Sequence, residues 1–183
     1  FEPRPHEDTP KLVKTHRPRN PLIRTKKAVL FTRDPRDTML SFLHYANAKR
    51  EYNFSGNLED LLLHPEMGAD AYLKFHQSWL PHVGLIIRYE DLRSDPVATF
   101  SKLLTYIGIH ASCSEIEMAL EAASLENTRT AQSRSSQEFR EKFDKSFVFA
   151  RSGSIGEGAA KFDDEAEKIL TRKIQSWEFD LYQ

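Results

Sequence analysis

An arginine lies at the junction of a predicted strand and a predicted helix. Arg33 follows the apolar run of residues 27–31, whose length is typical of a buried strand, although its periodicity alone does not exclude a helix. Asp34 is placed to cap the following helix, and Pro35 to occupy its first position, where a missing N–H costs nothing. The apolar residues of that helix recur at the spacing of one helical face, and they are Met39, Leu40, Leu43 and Ala46.

This junction is suited to an anion. In open α/β sheets ligands bind beyond the carboxyl ends of the strands, and helix amino termini attract negative charge. Ser41 lies eight residues after Arg33, so that a guanidinium and a hydroxyl can reach one phosphate. Two alternatives remain open: Arg33 is a surface residue paired with Asp34 or Asp37, and Ser41 is an ordinary serine on the helix surface.

A histidine near the beginning of the chain is a candidate general base. Residues 11–16 predict a short strand that ends before Arg17-Pro18, because proline restricts the residue that precedes it. Histidine exchanges protons near neutral pH, so His16 at the end of such a strand could accept a proton from a substrate. Lys14 would lie on the same face, since side chains alternate along a strand. The alternative is a solvent-facing histidine in a basic loop.

Two later segments also carry candidate groups. Arg151 opens the R-x-G-x-x-G segment of residues 151–156, where glycines let backbone N–H groups approach an anion. The alternative for this segment is a flexible loop. Tyr89 ends the predicted strand of residues 84–89, where its ring could meet a purine. The alternative is a core tyrosine followed by a helix-capping Asp91.

The composition limits the class of protein. At 183 residues, residues 1–183 are predicted to form one domain with a core of its own. The single cysteine, Cys113, excludes an internal disulfide and indicates a reducing compartment, which favours a cytoplasmic location. No apolar stretch approaches the ~20 residues of a membrane span. No metal site is predicted, because the histidines follow no metal-binding spacing.

The charge is unevenly distributed along the chain. Residues 1–50 hold 12 Lys and Arg against 5 Asp and Glu, a balance of +7, whereas the remaining residues carry −8. A basic amino-terminal third suits a small polyanion. The basic region is local and lacks interleaved aromatic residues, so no nucleic-acid partner is predicted.

Strands that alternate with helices predict an α/β fold with a parallel sheet. Periodic apolar residues, prolines and capping residues predict helices over residues 34–50, 58–63, 69–80, 95–107, 114–123 and 163–177. Residues 1–10 are predicted to be an extended lead-in, and the charged residues 126–146 to be mobile or to lie on the surface.

Taken together and in this order, these segments resemble the sulfotransferases that use 3′-phosphoadenosine 5′-phosphosulfate (PAPS) as donor. Residues 14–18, K-T-H-R-P, are similar to the K-T-H-x-P strand end of that family, and residues 33–41 to its 3′-phosphate motif. Residues 89–96 are similar to its Y-E-D-L…D-P segment, and residues 151–156 to its R-K-G-x-x-G loop. The resemblance covers residues 11 to about 162 and implies a three-layer α/β/α fold akin to the P-loop NTPases.

The resemblance implies a role for each matching residue. His16 would be the catalytic base, and Lys14 would contact the transferring sulfuryl group. PAPS, and its product adenosine 3′,5′-bisphosphate (PAP), would be bound by Arg33, Ser41, Tyr89, Ser124, Leu125, Arg151, Ser152 and Gly153. Ser152 stands where the family usually has lysine, and Leu125 where it has phenylalanine.

The family's first strand and its P-K-S-G-T-T-W-type phosphosulfate loop have no counterpart in the sequence. We expect a segment that carries them to precede Phe1; alternatively, another chain supplies the loop, or the chain is a degenerate homologue. The expected activity is sulfuryl transfer from PAPS to a hydroxyl or amine of a small-molecule acceptor. The alternatives are a non-catalytic nucleotide-binding or interaction protein and a relative of the P-loop kinases. The resemblance does not identify the acceptor.

Overall fold

The computed structural model describes residues 11–22, 24, 26–144, 147–148 and 151–182. In this part of the chain two parallel strands form the sheet, β1 (Val29–Thr32) and β2 (Leu85–Arg88). At the ends of the ladder Val29 is paired with Leu85, and Thr32 with Arg88. The predicted α/β fold with a parallel sheet is therefore confirmed. The predicted lead-in of residues 1–10 lies outside the described residues.

Helices make up most of the remaining described structure. They are α1 (Pro35–Ala48), α2 (Leu58–Leu62), α3 (Ala69–Trp79), α4 (Tyr89–Ser94), α5 (Pro96–Ile107), α6 (Cys113–Ala122), α7 (Leu125–Ser133), α8 (Gln137–Glu141), α9 (Glu157–Lys161) and α10 (Asp164–Ser176). Single 3₁₀ turns follow α1 and α3, at Arg50–Tyr52 and Leu80–His82. All six predicted helices are present, with ends within two residues of the prediction. The charged residues 126–146, predicted to be mobile or to lie on the surface, include α8 and most of α7.

Local capping explains why these helices begin and end where they do. The Asp34 carboxylate accepts a hydrogen bond from the Arg36 N–H at 2.7 Å, as the sequence predicts, and Pro35 occupies the first turn. Asp95 caps α5 by accepting from the Ala98 N–H at 3.1 Å. Gly108 ends α5 in the left-handed conformation at φ +88°, which glycine adopts without a steric penalty. The alternative in which Asp91 caps a helix is not observed, because Asp91 lies in the first turn of α4.

The predicted strand over residues 11–16 is also wrong. These residues are irregular and exposed, and the side chains of Leu12 and Val13 are 69% and 82% accessible to solvent. No described strand lies beside them to pair their backbone groups, and no apolar face is buried. The chain is held just beyond this segment, where the Trp79 Nε1–H donates to the Arg17 carbonyl oxygen at 3.0 Å and the Arg19 N–H donates to Ser78 Oγ at 2.9 Å.

The helical core lies where α1, α2, α3 and α10 meet. Its buried residues are Met39, Leu58, Leu62, Ala69, Ala166 and Leu170. Asp70 of α3 holds α10 in place through two hydrogen bonds. Its carboxylate accepts one from Lys173 Nζ and another, at 2.8 Å, from Trp177 Nε1. The core therefore fixes α1, the helix that carries the predicted anion site at its amino terminus.

His76 of α3 is a buried titratable group in this core, with 3% of its surface exposed. Its Nδ1 lies 2.9 Å from the Tyr72 carbonyl oxygen, which can only accept, so Nδ1 carries the proton of the neutral ring. Its Nε2 is then an acceptor, and it is buried without a hydrogen-bond partner among the described residues. Burial lowers the pKa of His76, while the bond to Tyr72 opposes that shift.

We expect acidification from pH 7.5 to 5.5 to reduce the free energy of unfolding by up to about 1.4 kcal/mol through His76. The folded chain keeps the ring neutral, whereas the unfolded chain binds a proton near pH 6.5, so stability present above that pH is lost below it. Urea unfolding at the two pH values measures the loss. The free energy of unfolding of His76→Gln should fall less than that of the wild type over this pH range. His82 is exposed, so His82→Gln should lose as much stability as the wild type. Equal losses for the wild type and His76→Gln would contradict this assignment.

Candidate functional site

The backbone at the junction of β1 and α1 is held by side chains from two other elements. The Tyr72 hydroxyl of α3 donates to the Arg33 carbonyl oxygen at 2.8 Å. Glu90 of α4 accepts from the Asp34 N–H at 2.9 Å, and its second oxygen accepts from the Tyr182 hydroxyl at 3.0 Å. These contacts fix the direction in which the Arg33 side chain leaves the strand.

The Arg33 guanidinium is the centre of the candidate site. Its Nη2 donates to Asp37 Oδ2 at 3.1 Å and to the Ser154 carbonyl oxygen at 2.6 Å. Its Cζ lies 4.4 Å from the centroid of the Tyr89 ring, which is a cation–π contact. Its Nε is buried without a hydrogen-bond partner among the described residues. The ion pair with Asp37 that the alternative interpretation proposes is therefore present, but it leaves a buried N–H of Arg33 unsatisfied.

Asp37 ties the glycine-rich segment to α1. The residue is 2% exposed, and its Oδ1 accepts from the Gly158 N–H at 2.6 Å while its Oδ2 accepts from the Gly156 N–H at 2.9 Å and from Arg33. Gly158 fits only without a side chain, because a Cβ there would lie 2.4 Å from the Arg36 carbonyl carbon. Asp37 thus positions Arg33, the arginine of the predicted anion site, together with the loop. Sequence reasoning considered Asp37 only as a possible ion-pair partner and missed this role.

Arg151 and Ser152 both donate hydrogen bonds to a carboxylate that directly follows their segment, at the start of α9. The Arg151 guanidinium donates to the two oxygens of Glu157 at 2.7 and 2.6 Å, and Ser152 Oγ donates to the same residue at 2.9 Å. These hydrogen bonds, first of all the one from Arg151, lower the pKa of Glu157 to about 2. In the structure these hydrogen bonds join the segment to the start of α9.

Tyr89, Gly153 and Leu125 meet beside the Arg33 guanidinium. The Tyr89 hydroxyl donates to the Gly153 carbonyl oxygen at 2.9 Å. Gly153 has φ +67°, and a Cβ there would lie 3.5 Å from the Tyr89 hydroxyl and 4.0 Å from a methyl of Leu125. Ser124 precedes Leu125 and caps α7 by accepting from the Asn127 N–H at 3.3 Å. Tyr89 is half-buried at this junction and is not a residue of the helical core.

Ser41 lies on the face of α1 that is turned toward residues 151–161. Asp37 is four residues before it and bonds to that loop, and His44 is three residues after it. Burial lowers the pKa of His44, and the charges of Arg151 and Lys161 lower it further, while the charge of Glu157 opposes the shift. Ser41 itself is exposed, so its hydroxyl is accessible to solvent.

The structure brings together most, but not all, of the predicted site residues. Contacts join Arg33, Tyr89 and Gly153, and through the loop Arg151 and Ser152, while Leu125 lies near Gly153. Lys14 and His16 are exposed, and in the described residues no hydrogen bond, ion pair or ring contact joins their side chains to Arg33 or Tyr89. No group of histidine, cysteine and acidic residues suited to a metal ion is present among the described residues. None of the described helices has both the length and the hydrophobicity of a membrane span.

Comparison with known proteins shows the family to which this chain belongs. The chain belongs to the sulfotransferase domain family, whose model matches residues 2–178. Over 119 residues it is 31% identical to carbohydrate sulfotransferase 2 of Mus musculus, a match that covers 59% of this chain and 22% of the relative. The chain spans less than half the length of the curated relatives it matches.

Solved structures show the same fold. The mouse sulfotransferase SULT7A1 complexed with PAP superimposes with a TM-score of 0.68 at 17% identity, over 85% of this chain and 59% of that one. Retinol dehydratase in complex with androsterone and inactive cofactor PAP also gives 0.68, at 23% identity, over 86% of this chain and 48% of that one. The sulfotransferase fold predicted from the sequence is thereby confirmed.

Proposed function

We propose that this chain binds PAPS and transfers its sulfuryl group to a hydroxyl or amine of a small-molecule acceptor. The observation that carries the proposal is the meeting of Arg33, Tyr89 and Gly153 beyond the carboxyl ends of β1 and β2, in a chain of the sulfotransferase domain family. We also propose that residues 1–183 belong to one domain. The cytoplasmic location remains a prediction.

The residues present fit an adenosine 3′-phosphate. The buried, unpartnered Nε of Arg33 is a donor that an anion would satisfy, and the amino terminus of α1 beside it favours negative charge. Ser41 and Gly153 would add a hydroxyl and a backbone N–H. Arg151 uses two of its five guanidinium N–H groups on Glu157, so others are left for a phosphate.

The base of the ligand would lie against the other predicted binding residues. Tyr89 offers a ring face beside the Arg33 guanidinium, and Leu125 offers an apolar surface next to Gly153. Ser124 stands at the start of α7, and Ser152 lies between Arg151 and Gly153 in the loop. The presence of PAP in the two solved relatives described above supports the same choice of ligand.

In the proposed reaction PAPS supplies the sulfuryl group. His16 would take the proton of the acceptor hydroxyl while the acceptor oxygen forms its bond to sulfur and the bond from sulfur to the phosphate oxygen breaks. Lys14, two residues away, would offset the negative charge on the sulfuryl oxygens. Arg33 would hold the nucleotide still, since such transfers depend mainly on positioning and charge neutralisation.

A second candidate function is a non-catalytic PAP-binding protein. The observation that favours it is the separate position of Lys14 and His16, which share no hydrogen bond or ion pair with the Arg33 site in the described residues. Both functions predict nucleotide binding, and only the first predicts turnover that depends on His16.

The first test is calorimetric titration with PAP. We expect Arg33→Ala to weaken binding roughly 10- to 100-fold, because a charged hydrogen-bond donor to a phosphate contributes about 1.5–3 kcal/mol. Arg33→Lys keeps the charge but loses the planar guanidinium fork, so its affinity for PAP should lie between those of the wild type and Arg33→Ala. Arg172→Ala, an exposed arginine of α10, serves as the matched control and should bind like the wild type.

Thermal unfolding of each variant separates loss of binding from loss of folding. Unchanged PAP affinity in folded Arg33→Ala would remove Arg33 from the proposed site. Absence of binding by the folded wild-type chain would show that these residues alone do not make a nucleotide site.

A further inference from the structure

The peptide unit between Arg33 and Asp34 is held at both of its polar groups by side chains. Its carbonyl oxygen accepts from the Tyr72 hydroxyl at 2.8 Å, and its N–H donates to Glu90 Oε1 at 2.9 Å. Tyr72 and Glu90 belong to different elements, α3 and α4. Because a peptide unit is planar, these two bonds fix its orientation between β1 and α1.

The segment that follows α10, residues 178–182, lies against both of these side chains; we call it the post-α10 segment. Glu178, at φ +48°, turns the chain out of the helix, and the Phe179 N–H donates to the Ile174 carbonyl oxygen at 3.1 Å. The Phe179 side chain is 3% exposed, and its ring lies edge to face with that of Tyr72, at a centroid distance of 6.0 Å. A buried ring of the post-α10 segment therefore supports the side chain that holds the carbonyl oxygen.

The other end of the post-α10 segment is bound to β2 and α4. Arg88, the last residue of β2, donates from Nη2 to the Leu181 carbonyl oxygen at 2.8 Å, and its Cζ lies 5.2 Å from the centroid of the Tyr182 ring. The Tyr182 hydroxyl donates to Glu90 Oε2 at 3.0 Å. The Glu90 carboxylate thus connects Tyr182 to the Asp34 N–H, with one oxygen for each.

The second bond to Glu90 matters for the geometry of the candidate site. A carboxylate that accepts at both oxygens is held in one orientation, whereas loss of the Tyr182 hydroxyl would let it turn and weaken its bond to the Asp34 N–H. Binding groups must be held within about 0.5 Å of their working positions by the contacts behind them. The buried Nε of Arg33 is such a group, because a small shift of its backbone would move it relative to a bound anion.

We infer that the post-α10 segment positions Arg33, and that Tyr182 and Glu90 are positioning residues that determine the preference of the site for a nucleotide with a 3′-phosphate. This role rests on the proposed function, in which Arg33 is the donor to the 3′-phosphate. The hold on the Arg33–Asp34 peptide unit can be measured without any nucleotide.

Amide hydrogen exchange in the nucleotide-free protein, followed by NMR, tests the hold on the peptide unit. We expect the Asp34 N–H to exchange about three- to tenfold faster in Tyr182→Phe than in the wild type, because Glu90 loses the bond at its second oxygen. Tyr106→Phe is the matched control, since that hydroxyl donates to the Ala28 carbonyl oxygen at 3.3 Å, before the opposite end of β1. It should leave Asp34 exchange unchanged. Equal exchange in the wild type and Tyr182→Phe would overturn the inference.

Calorimetry with PAP and with adenosine 5′-monophosphate (AMP), which has no 3′-phosphate, tests the preference. We expect Tyr182→Phe to weaken PAP binding about three- to tenfold and to leave AMP binding unchanged, whereas a general loss of folding would weaken both. Glu90→Ala should weaken PAP binding at least as much. Adding Tyr182→Phe to Glu90→Ala should have no further effect, because Tyr182 acts through Glu90. Tyr106→Phe should change neither affinity.

The outcomes distinguish this inference from the proposed function. If the wild type binds PAP and its preference over AMP persists in Tyr182→Phe, the inference is overturned and the proposed function stands. A further effect of Tyr182→Phe in the Glu90→Ala background would also overturn it. Absence of PAP binding by the folded wild type would remove the proposed function and the 3′-phosphate preference. Faster Asp34 exchange in Tyr182→Phe would then still support the hold on the peptide unit.

Discussion

Replacing Asp37 with alanine is expected to destabilise the chain by about 3–5 kcal/mol. The substitution leaves the N–H groups of Gly156 and Gly158 without their buried acceptor and removes the charge that faces Arg33. Urea unfolding measures the loss, and PAP calorimetry should show weaker binding, because the loop no longer lies against α1. Asp37→Asn keeps one acceptor oxygen and should lose less stability.

Asp144→Ala provides the matched control for this prediction. Asp144 also faces an arginine, Arg50 at 3.9 Å, but its side chain is 59% exposed and the pair is surrounded by solvent. Removal of such a pair should cost less than about 1 kcal/mol. If Asp37→Ala were no less stable than Asp144→Ala, the role of Asp37 in joining the loop to α1 would be refuted.

Replacing His16 with alanine is expected to reduce the proposed turnover by about 10²–10⁴-fold and to leave PAP affinity unchanged. The reason is that the proposed general base acts only on the acceptor proton, whereas the proposed nucleotide site is formed by Arg33, Tyr89 and the loop of residues 151–156. Transfer from PAPS to 2-naphthol, a small hydroxyl acceptor, provides the rate, and calorimetry provides the affinity. A merely structural role for His16 would change both quantities together.

His82→Ala is the control for the histidine. His82 is exposed on the 3₁₀ turn Leu80–His82 and has no role in the proposed site, so its replacement should change the rate less than twofold. If His16→Ala turned over at the wild-type rate, His16 would not be the general base. Absence of turnover by the wild type itself, with PAP binding intact, would favour the non-catalytic function.

The local sequence determined the strand–helix junction and the helices around it. Asp34 and Pro35 set the start of α1 through contacts within one turn, and Asp95 and Gly108 bound α5 in the same way. Caps, prolines and apolar spacing act over a few residues, so the sequence shows them directly. The order of four motifs was also enough to predict the family and its fold.

Only the tertiary structure decided how the candidate site is held. The acceptor for the N–H groups of Gly156 and Gly158 is Asp37, more than a hundred residues away, and no local pattern indicates which carboxylate would meet them. The bond from the Tyr89 hydroxyl to Gly153 depends in the same way on how α4 and the loop pack. Such contacts are set by the packing of the whole chain.

The segment that contains His16 shows that a strand predicted from the local sequence does not form without partners in the fold. The sequence predicts a short strand over residues 11–16, but a strand forms only where a neighbouring strand can pair its backbone and a core can bury one face. The described structure offers neither to this segment. The sequence therefore determined which residue types are available for chemistry. Packing determined that Arg33, Tyr89 and the glycine loop meet, because burial and hydrogen bonding between distant segments are properties of the folded chain alone.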